Sequence, residues 1–149
     1  MNKILLFDID GTLVSTGGAG RRAIERALVD HLGIAQISMK FSFAGMTDRA
    51  ILRLATEGHG RMCGDGDVDE LIERYVAYLP EEVERADYRV FPGVVELLDK
   101  LVDLEASAIG LGTGNAERGA RIKLERGGLN DYFAFGGYGC TFEDRAELL

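Results

Sequence analysis

Residues 1–14 read MNKILLFDIDGTLV, an apolar run that leads directly into two aspartates one residue apart. An apolar run of this length, bounded by a turn signal, predicts a buried strand of a parallel sheet. Asp8 and Asp10 follow at its carboxyl end, which is where open α/β sheets carry their chemistry. Because side chains alternate along an extended chain, both carboxylates are predicted to point to the same face. Such a pair repels itself unless a cation or a shared proton relieves it, which indicates acid/base or metal-assisted chemistry.

The bulk composition restricts the function classes. The chain has 149 residues, 46% of them hydrophobic, which suits one compact domain or a core with a small insert. Its formal charge of −8 argues against a nucleic-acid partner. No apolar run reaches the roughly 20 residues that span a bilayer, and the N-terminus lacks the pattern of a signal peptide. Cys63 and Cys140 form no CxxC pair, so we expect a cytoplasmic protein with reduced thiols. His31 and His59 have no companion ligands for zinc.

The segment after the first strand is predicted to be almost entirely helical. Thr16–Gly20 is a hinge of small residues, and Arg21–Leu32 has apolar residues at helical spacing. Thr47 can cap a second helix. The clearest helical stripe covers Val68–Leu79, and Pro80 is predicted to kink or end that helix.

The pattern changes after residue 90. Gly93–Leu104 is an amphipathic helix, and Ala106–Leu111 is a short apolar strand that ends in a glycine-rich turn. A polar helix follows over Ala116–Arg126, and Tyr132–Phe135 is predicted to be a third strand. This order of elements predicts an α/β fold: a Rossmann-like parallel sheet interrupted after its first strand by a helical insert.

Three short motifs resemble a known family. Asp8–Thr12 (DIDGT), preceded by an apolar strand, resembles the first signature of the haloacid dehalogenase superfamily, most of whose members are magnesium-dependent phosphatases. Leu111–Asn115 (LGTGN) is similar to the second signature. Phe91–Gly93 resembles the point at which the chain returns to the core in phosphoglycolate phosphatase-like members. The resemblance implies a core domain formed by 1–14 and 91–149, with residues 15–90 as a helical cap domain.

The resemblance assigns roles to the two aspartates. Asp8 would attack phosphorus and form an aspartyl-phosphate, while Asp10 would protonate the leaving alcohol and then activate water. The Asp8 carboxylate and the Asp10 main-chain carbonyl would hold Mg²⁺, a cation that prefers oxygen ligands. The alternative for this pair is an ordinary polar end of a strand, since Asp-Gly is common turn chemistry.

The remaining site residues also follow from the resemblance. Thr113 would bind the phosphate through its hydroxyl at the start of a helix. The residues expected to contact substrate lie in the two signatures and in a loop of the insert: Gly11, Thr12, Gly45, Thr47, Gly114 and Asn115. The plain alternative for Thr47 or Asp48 is helix capping. Lys123 is the candidate for the lysine that neutralises the nucleophile and the phosphate, and its alternative is a solvated helix face.

The C-terminal end departs from the family pattern. The superfamily's last signature is an acidic pair on a further core strand, whereas Glu143–Leu149 resembles the start of a helix. The last core strands are therefore missing, which would leave the first strand as an exposed sheet edge. Three explanations stay open: a truncated chain, self-association that covers the edge, and a natural remnant that binds rather than cleaves. We expect weak Mg²⁺ affinity and little turnover.

The leading hypothesis is a Mg²⁺-dependent phosphomonoester hydrolase that acts on a small phosphorylated metabolite, with phosphoglycolate as the family-level substrate. A cap of about 70 helical residues suits a small substrate better than a phosphoprotein. A dehalogenase is disfavoured, because that branch needs no acid at the position of Asp10. A phosphosugar mutase, which uses the same two aspartates, and a catalytically silent interaction module are the alternatives.

Overall fold

The predicted parallel sheet is present and has three strands. The computed structural model describes residues 3–104 and 107–148. Strand β1 (Lys3–Phe7) pairs in parallel with β4 (Ser107–Thr113), which pairs in parallel with β5 (Gly136–Tyr138). The strand order is β1-β4-β5. The chain thus has the predicted Rossmann-like α/β core.

The register of the sheet brings the two signature motifs together. Phe7, the last residue of β1, lies beside Leu111 of β4. Both strands run in the same direction, so the segments that follow them leave the sheet at one edge. This is the edge at which open parallel sheets bind ligands.

A second, two-stranded ladder closes the base of the helical insert. Strand β2 (Val14–Ser15) pairs antiparallel with β3 (Arg89–Val90). Between them lie α1 (Ala19–Leu32), α2 (Asp48–Gly58) and α3 (Asp65–Arg85). The predicted interruption after the first strand is therefore present. The division into a core domain and a cap domain stays a prediction.

The three insert helices share an apolar core formed by their buried faces. Tyr75 and Leu79 of α3 are fully buried against α1 and α2. Pro80 was predicted to kink or end this helix. The helix does not end there, because α3 continues to Arg85. Val83, one turn beyond the proline, is also buried, and this packing offsets the cost of about 3 kcal/mol for proline within a helix. In the part of the chain that is described, no helix is both long and apolar enough to cross a membrane.

Two further helices cover the sheet. Helix α4 (Val94–Asp103) follows Gly93, whose φ of +81° is readily adopted only by glycine. Helix α5 (Glu117–Glu125) begins directly after the second signature. Leu98 of α4 and Leu124 of α5 are fully buried in the core that these helices form with the sheet. Both helices match the predicted ones within two residues at each end.

The third strand lies later than predicted. The sequence favours a strand over Tyr132–Phe135, but a 3-10 turn covers Asn130–Tyr132 and the strand is Gly136–Tyr138. Phe133 is buried in the core, and its N–H closes the turn on the Asn130 carbonyl at 3.1 Å. The apolar run therefore anchors a turn, and contact with β4 begins at its last residue, Phe135, whose carbonyl accepts the Leu111 N–H at 3.0 Å.

Strand β1 is less buried than its apolar sequence predicts. The side chains of Ile4 and Leu6 are 68% and 43% exposed. The sheet order leaves β1 with a neighbour on one side only among the described strands. The expectation of a buried strand is thus corrected, while the expectation of an open edge at β1 is confirmed.

Candidate active site

The loop after β1 turns sharply and presents both signature aspartates to one cavity. The Ile9 carbonyl accepts hydrogen bonds from three successive backbone N–H groups, of which that of Leu13 is the shortest at 2.9 Å. Ile9 is fully buried, and Gly11 has a φ of +79°. The buried Ile9 side chain therefore anchors the turn in the core, and Asp8 and Asp10 line the same cavity.

Asp10 belongs to a closed hydrogen-bond network. Its Oδ2 atom accepts from Lys123 Nζ at 2.7 Å and from Asn115 Nδ2 at 2.9 Å. Lys123 Nζ also donates to Asn115 Oδ1 at 2.6 Å. Burial raises the pKa of Asp10, but the charge of Lys123 and the hydrogen bonds from Lys123 and Asn115 outweigh it and hold that pKa below its ordinary value. These contacts therefore favour the ionised form of Asp10 and hold its side chain in position.

Asp8 has a different cation. Its Oδ2 atom lies 2.6 Å from the Arg145 guanidinium, and its Oδ1 atom accepts the Ile9 N–H at 2.8 Å. The sequence analysis did not identify Arg145. It stands in a short 3-10 turn (Arg145–Leu148), so no helical or strand periodicity marks it. The one indication that the sequence offered for Arg145 is its positive charge, in a chain that needs a cation beside two carboxylates.

Lys123 is buried beneath the site rather than solvated. Its side chain is 5% exposed, and it projects from α5 toward the loop after β1. A Cβ atom on Gly20 would lie 3.0 Å from Lys123 Nζ, so the glycine makes room for the ammonium group. The solvated-face alternative is therefore wrong. The ammonium contacts Asp10, whereas Arg145 contacts Asp8, and a role for Lys123 in neutralising the nucleophile stays a prediction.

The second signature lies beside the aspartates in the wall of the cavity. Gly114 and Asn115 line the cavity, as Gly11 does from the first signature. Thr113 is fully buried, and its Oγ1 accepts from the Asn115 backbone N–H at 3.2 Å and from Asn115 Nδ2 at 2.8 Å. Its hydroxyl thus orients the side chain that holds Asp10. Its predicted contact with phosphate stays a prediction, as does a substrate contact for Thr12, which lies exposed in the turn.

Thr47 of the insert loop caps α2. Its Oγ1 accepts the Ala50 N–H at 3.1 Å and donates to the Glu143 carbonyl at 3.0 Å. The capping alternative is confirmed, and a substrate contact for Thr47 stays a prediction. Gly45, which precedes Thr47 by two residues and has a φ of +76°, lines the cavity.

Asp48 joins the insert to the core. Its backbone N–H donates to the Gly114 carbonyl at 2.7 Å, and its Oδ2 accepts the Ala116 N–H at 2.8 Å. Ala116 directly precedes α5, so this carboxylate caps a helix from another part of the fold. Burial raises the pKa of Asp48 to about 6, although the charge of Lys123 and the bond from Ala116 oppose the shift. The sequence indicated that Asp48 could cap a helix, but it did not indicate that this helix is α5.

The cavity has the size of a small-molecule site. It has a volume of about 470 Å³ and lies between the aspartates and the insert. Phe43, Met46 and Ile51 form an apolar wall, and Arg21 stacks on Phe43 with its guanidinium carbon 4.5 Å from the ring centre. Among residues 3–104 and 107–148, no group of three or more His, Cys, Asp or Glu side chains is arranged to hold a metal ion.

A family model described as haloacid dehalogenase-like hydrolase matches residues 5–142. The match covers both aspartates, the second signature, the insert and the strand β5. No curated protein is similar enough in sequence to match.

Solved structures share the fold at low sequence identity. β-Phosphoglucomutase from Clostridium difficile aligns with a TM-score of 0.67 and 21% identity over 95% of this chain and 64% of its own. A predicted phosphoglycolate phosphatase from Haemophilus somnus 129pt aligns with a TM-score of 0.61 and 19% identity over 95% of this chain and 64% of its own. YfnB from Bacillus subtilis, bound to magnesium, aligns with a TM-score of 0.50 and 18% identity over 90% of this chain and 63% of its own. The chain thus spans about 64% of the length of the first two relatives.

Proposed function

The chain belongs to the haloacid dehalogenase-like hydrolases, and on that premise we propose that it hydrolyses the phosphomonoester of a small metabolite through an aspartyl-phosphate. One observation carries the proposal. The carboxylates of Asp8 and Asp10 follow the same parallel strand and line one cavity. Each carboxylate is paired with a cation of its own. Phosphoryl transfer needs a nucleophile, a proton donor and positive charge around the phosphoryl oxygens.

Asp8 is the nucleophile in this proposal. A carboxylate oxygen of Asp8 forms a bond to phosphorus while the bond from phosphorus to the leaving alcohol oxygen breaks. Arg145 lies 2.6 Å from Asp8 and can contact the phosphoryl oxygens during the transfer. Attack by water on phosphorus then releases phosphate and regenerates Asp8.

Asp10 moves the proton. Protonated Asp10 donates to the leaving oxygen, and the resulting carboxylate accepts a proton from the attacking water. Lys123 and Asn115 hold its Oδ2 atom, which keeps the carboxylate aimed at the cavity. The same contacts favour the ionised form, so they support Asp10 most directly as the base of the second step.

Mg²⁺ forms part of the proposal. The oxygens available at this point are the Asp8 carboxylate and the Asp10 main-chain carbonyl, which fit a hard cation that keeps several waters and shares a substrate phosphate. When bound, the ion supplies positive charge to the transferring phosphoryl group. YfnB, which shares the fold, was solved bound to magnesium.

The substrate is proposed to be a small phosphorylated molecule. The cavity of about 470 Å³ is roofed by insert residues such as Phe43 and Met46, which leaves room for a metabolite rather than a folded protein. The formal charge of −8 argues against nucleic acid. The free thiols of Cys63 and Cys140 support the cytoplasmic location that belongs to this proposal.

A phosphosugar mutase is the second candidate. The structural similarity to a β-phosphoglucomutase favours it, and the same pair of aspartates would serve both reactions. Product analysis separates the two reactions. Free phosphate identifies a hydrolase, whereas an isomeric sugar phosphate identifies a mutase.

Hydrolysis of an aryl phosphate in the presence of Mg²⁺ tests the proposal. We expect slow phosphate release from the chain at high Mg²⁺ concentration, its loss in Asp8→Asn, and its retention in Asp103→Asn, which removes an exposed acid of α4. A folded chain that releases no phosphate would contradict the hydrolase and favour a silent interaction module. Activity that survives in Asp8→Asn would contradict the assignment of the nucleophile.

A further inference from the structure

Helix α2 holds the segment that leads to Arg145. This segment, Gly139–Glu143, follows β5 and runs along the start of α2. The Arg49 backbone N–H donates to its first carbonyl at 3.2 Å, and the Arg49 guanidinium donates to the Cys140 carbonyl at 3.3 Å. Thr47 Oγ1 donates to the Glu143 carbonyl at 3.0 Å. Three hydrogen bonds from the insert therefore fix the backbone at both ends of the segment.

Arg53, one turn further along α2, adds an ion pair. Its Nε atom lies 2.5 Å from Glu143 Oε1. The same guanidinium lies 2.6 Å from Asp65 Oδ1 and donates to the Cys63 carbonyl. Because a guanidinium group is planar and rigid, contacts on three sides fix its orientation. Arg53 is thus a fixed point on the insert to which Glu143 is bound.

The backbone contacts around this segment leave no space for adjustment. A Cβ atom on Gly139 would lie 1.9 Å from the Gly114 carbonyl oxygen and 2.9 Å from Thr47 Cβ. The start of α2, the second signature and the segment after β5 therefore pack backbone against backbone. A displacement of α2 from the core would remove the contacts at the Glu143 end of the segment, whereas the Gly139 N–H would still donate to the Asn115 carbonyl at 2.8 Å.

Arg145 follows Glu143 by two residues, a tether of about 7 Å at full extension. Its guanidinium lies 2.6 Å from Asp8 Oδ2. The position of Glu143 thus limits where the Arg145 side chain can reach.

We propose that Arg53 and Glu143 are positioning residues: their ion pair places Arg145 against Asp8 only when α2 lies on the core. Neutralisation of Asp8 is thereby coupled to docking of the insert, although neither residue touches the cavity. The consequence for turnover rests on the proposed function. The placement of Arg145 does not, and it can be measured without substrate.

The test is the side-chain guanidinium signal of Arg145 in ¹⁵N NMR spectra, assigned by its loss in Arg145→Lys. Asp8→Asn gives the signal position of Arg145 released from its partner. We expect Glu143→Gln to move the signal at least halfway to that position, and Arg53→Gln to move it equally. The double variant is expected to move it no further than Arg53→Gln alone, because both single changes remove the same contact between Arg53 and Glu143. Arg74→Gln, which removes the exposed pair with Glu70 on α3, is the matched control and leaves the signal in place.

An Arg145 signal that stays in its wild-type position in folded Glu143→Gln would overturn the proposal. The aryl phosphate assay, run in parallel, separates this result from failure of the proposed function. Loss of the ion pair is expected to lower kcat about 10-fold to 100-fold with less than a twofold change in KM, since the pair orients a charge rather than contacts substrate. If the wild-type chain is inactive but its Arg145 signal still moves in Glu143→Gln, the result would contradict the phosphatase and support the positioning role.

Discussion

Lys123 Nζ lies 2.7 Å from Asp10 Oδ2, and Asn115 bridges the two side chains by contacting both. Asp10 thus has a buried cation of its own, separate from Arg145 at Asp8. Two like charges one residue apart are tolerated because each is compensated individually. Separate compensation suits the different steps proposed for the two carboxylates.

We expect replacement of Lys123 by methionine to destabilise the fold by about 1–3 kcal/mol. The change keeps an aliphatic side chain but removes one of the two donors to Asp10 Oδ2 and takes the ammonium group away from the buried Asn115 Oδ1. Urea denaturation of wild type and Lys123→Met measures the difference. Lys100→Met, on the exposed part of α4, is the control and should change stability by less than about 0.5 kcal/mol. Equal midpoints for both variants would contradict a structural contribution from the Lys123 network.

Gly114 is predicted to tolerate no side chain. A Cβ atom at this position would lie 2.2 Å from the Met46 carbonyl oxygen, so Gly114→Ala forces the insert loop away from the core. We expect a loss of at least about 2 kcal/mol in the free energy of unfolding. The matched change is Gly66→Ala in α3, where a Cβ atom meets open space and should stabilise the helix by about 0.5–1 kcal/mol. If thermal denaturation shows a stability change of the same sign for both variants, this would argue against the close approach of Gly114 to the Met46 carbonyl.

The sequence predicted the motif-bearing half of the site well. Asp8, Asp10, Gly114 and Asn115 all line the cavity, because strand ends in a parallel sheet are located by short local patterns. The helical insert followed equally from local periodicity. These features depend on residues close to one another in the chain.

Contacts between distant residues could not be predicted in the same way. Arg145 and Asp8 are 137 positions apart, and Asp48 and Ala116 are 68 apart. No local pattern links such pairs, since their residues come together only in the folded chain. The late start of β5 has a related cause, because burial of Phe133 in the core competes with its strand propensity.

Asp48 is expected to give the fold a measurable pH dependence. Its pKa is about 6 in the folded chain and 3.8 as an ordinary carboxyl, so between these values the folded state keeps a proton that the unfolded state has lost. The contribution of this group to stability therefore falls as pH rises from about 4 to 6. Asp48→Asn removes the titration, and we expect this variant to gain about 3 kcal/mol relative to wild type across that range. Denaturation series at several pH values measure this gain, and a constant difference would contradict it.

The open edge of β1 is expected to promote self-association. Ile4 and Leu6 are 68% and 43% exposed on β1, which pairs on one side only among the described strands, and this combination favours strand pairing between copies. Light scattering coupled to size exclusion should show a mass that rises with concentration and returns to monomer in Leu6→Lys. Leu54→Lys, which places the same charge at an exposed leucine of α2, should leave the association unchanged. A wild-type chain that stays monomeric at high concentration would contradict the expectation.

Mg²⁺ is expected to bind this chain weakly. Only the Asp8 carboxylate and the Asp10 main-chain carbonyl are proposed as ligands, and no third acidic side chain joins them among the described residues. Arg145 also places a positive charge 2.6 Å from the Asp8 oxygen that a cation would share. Isothermal titration should therefore give a millimolar dissociation constant, which Arg145→Gln lowers by about tenfold, because removing one nearby like charge is worth roughly 1–2 kcal/mol. Binding at micromolar concentration by the wild-type chain, or no change in Arg145→Gln, would show that other groups determine the affinity.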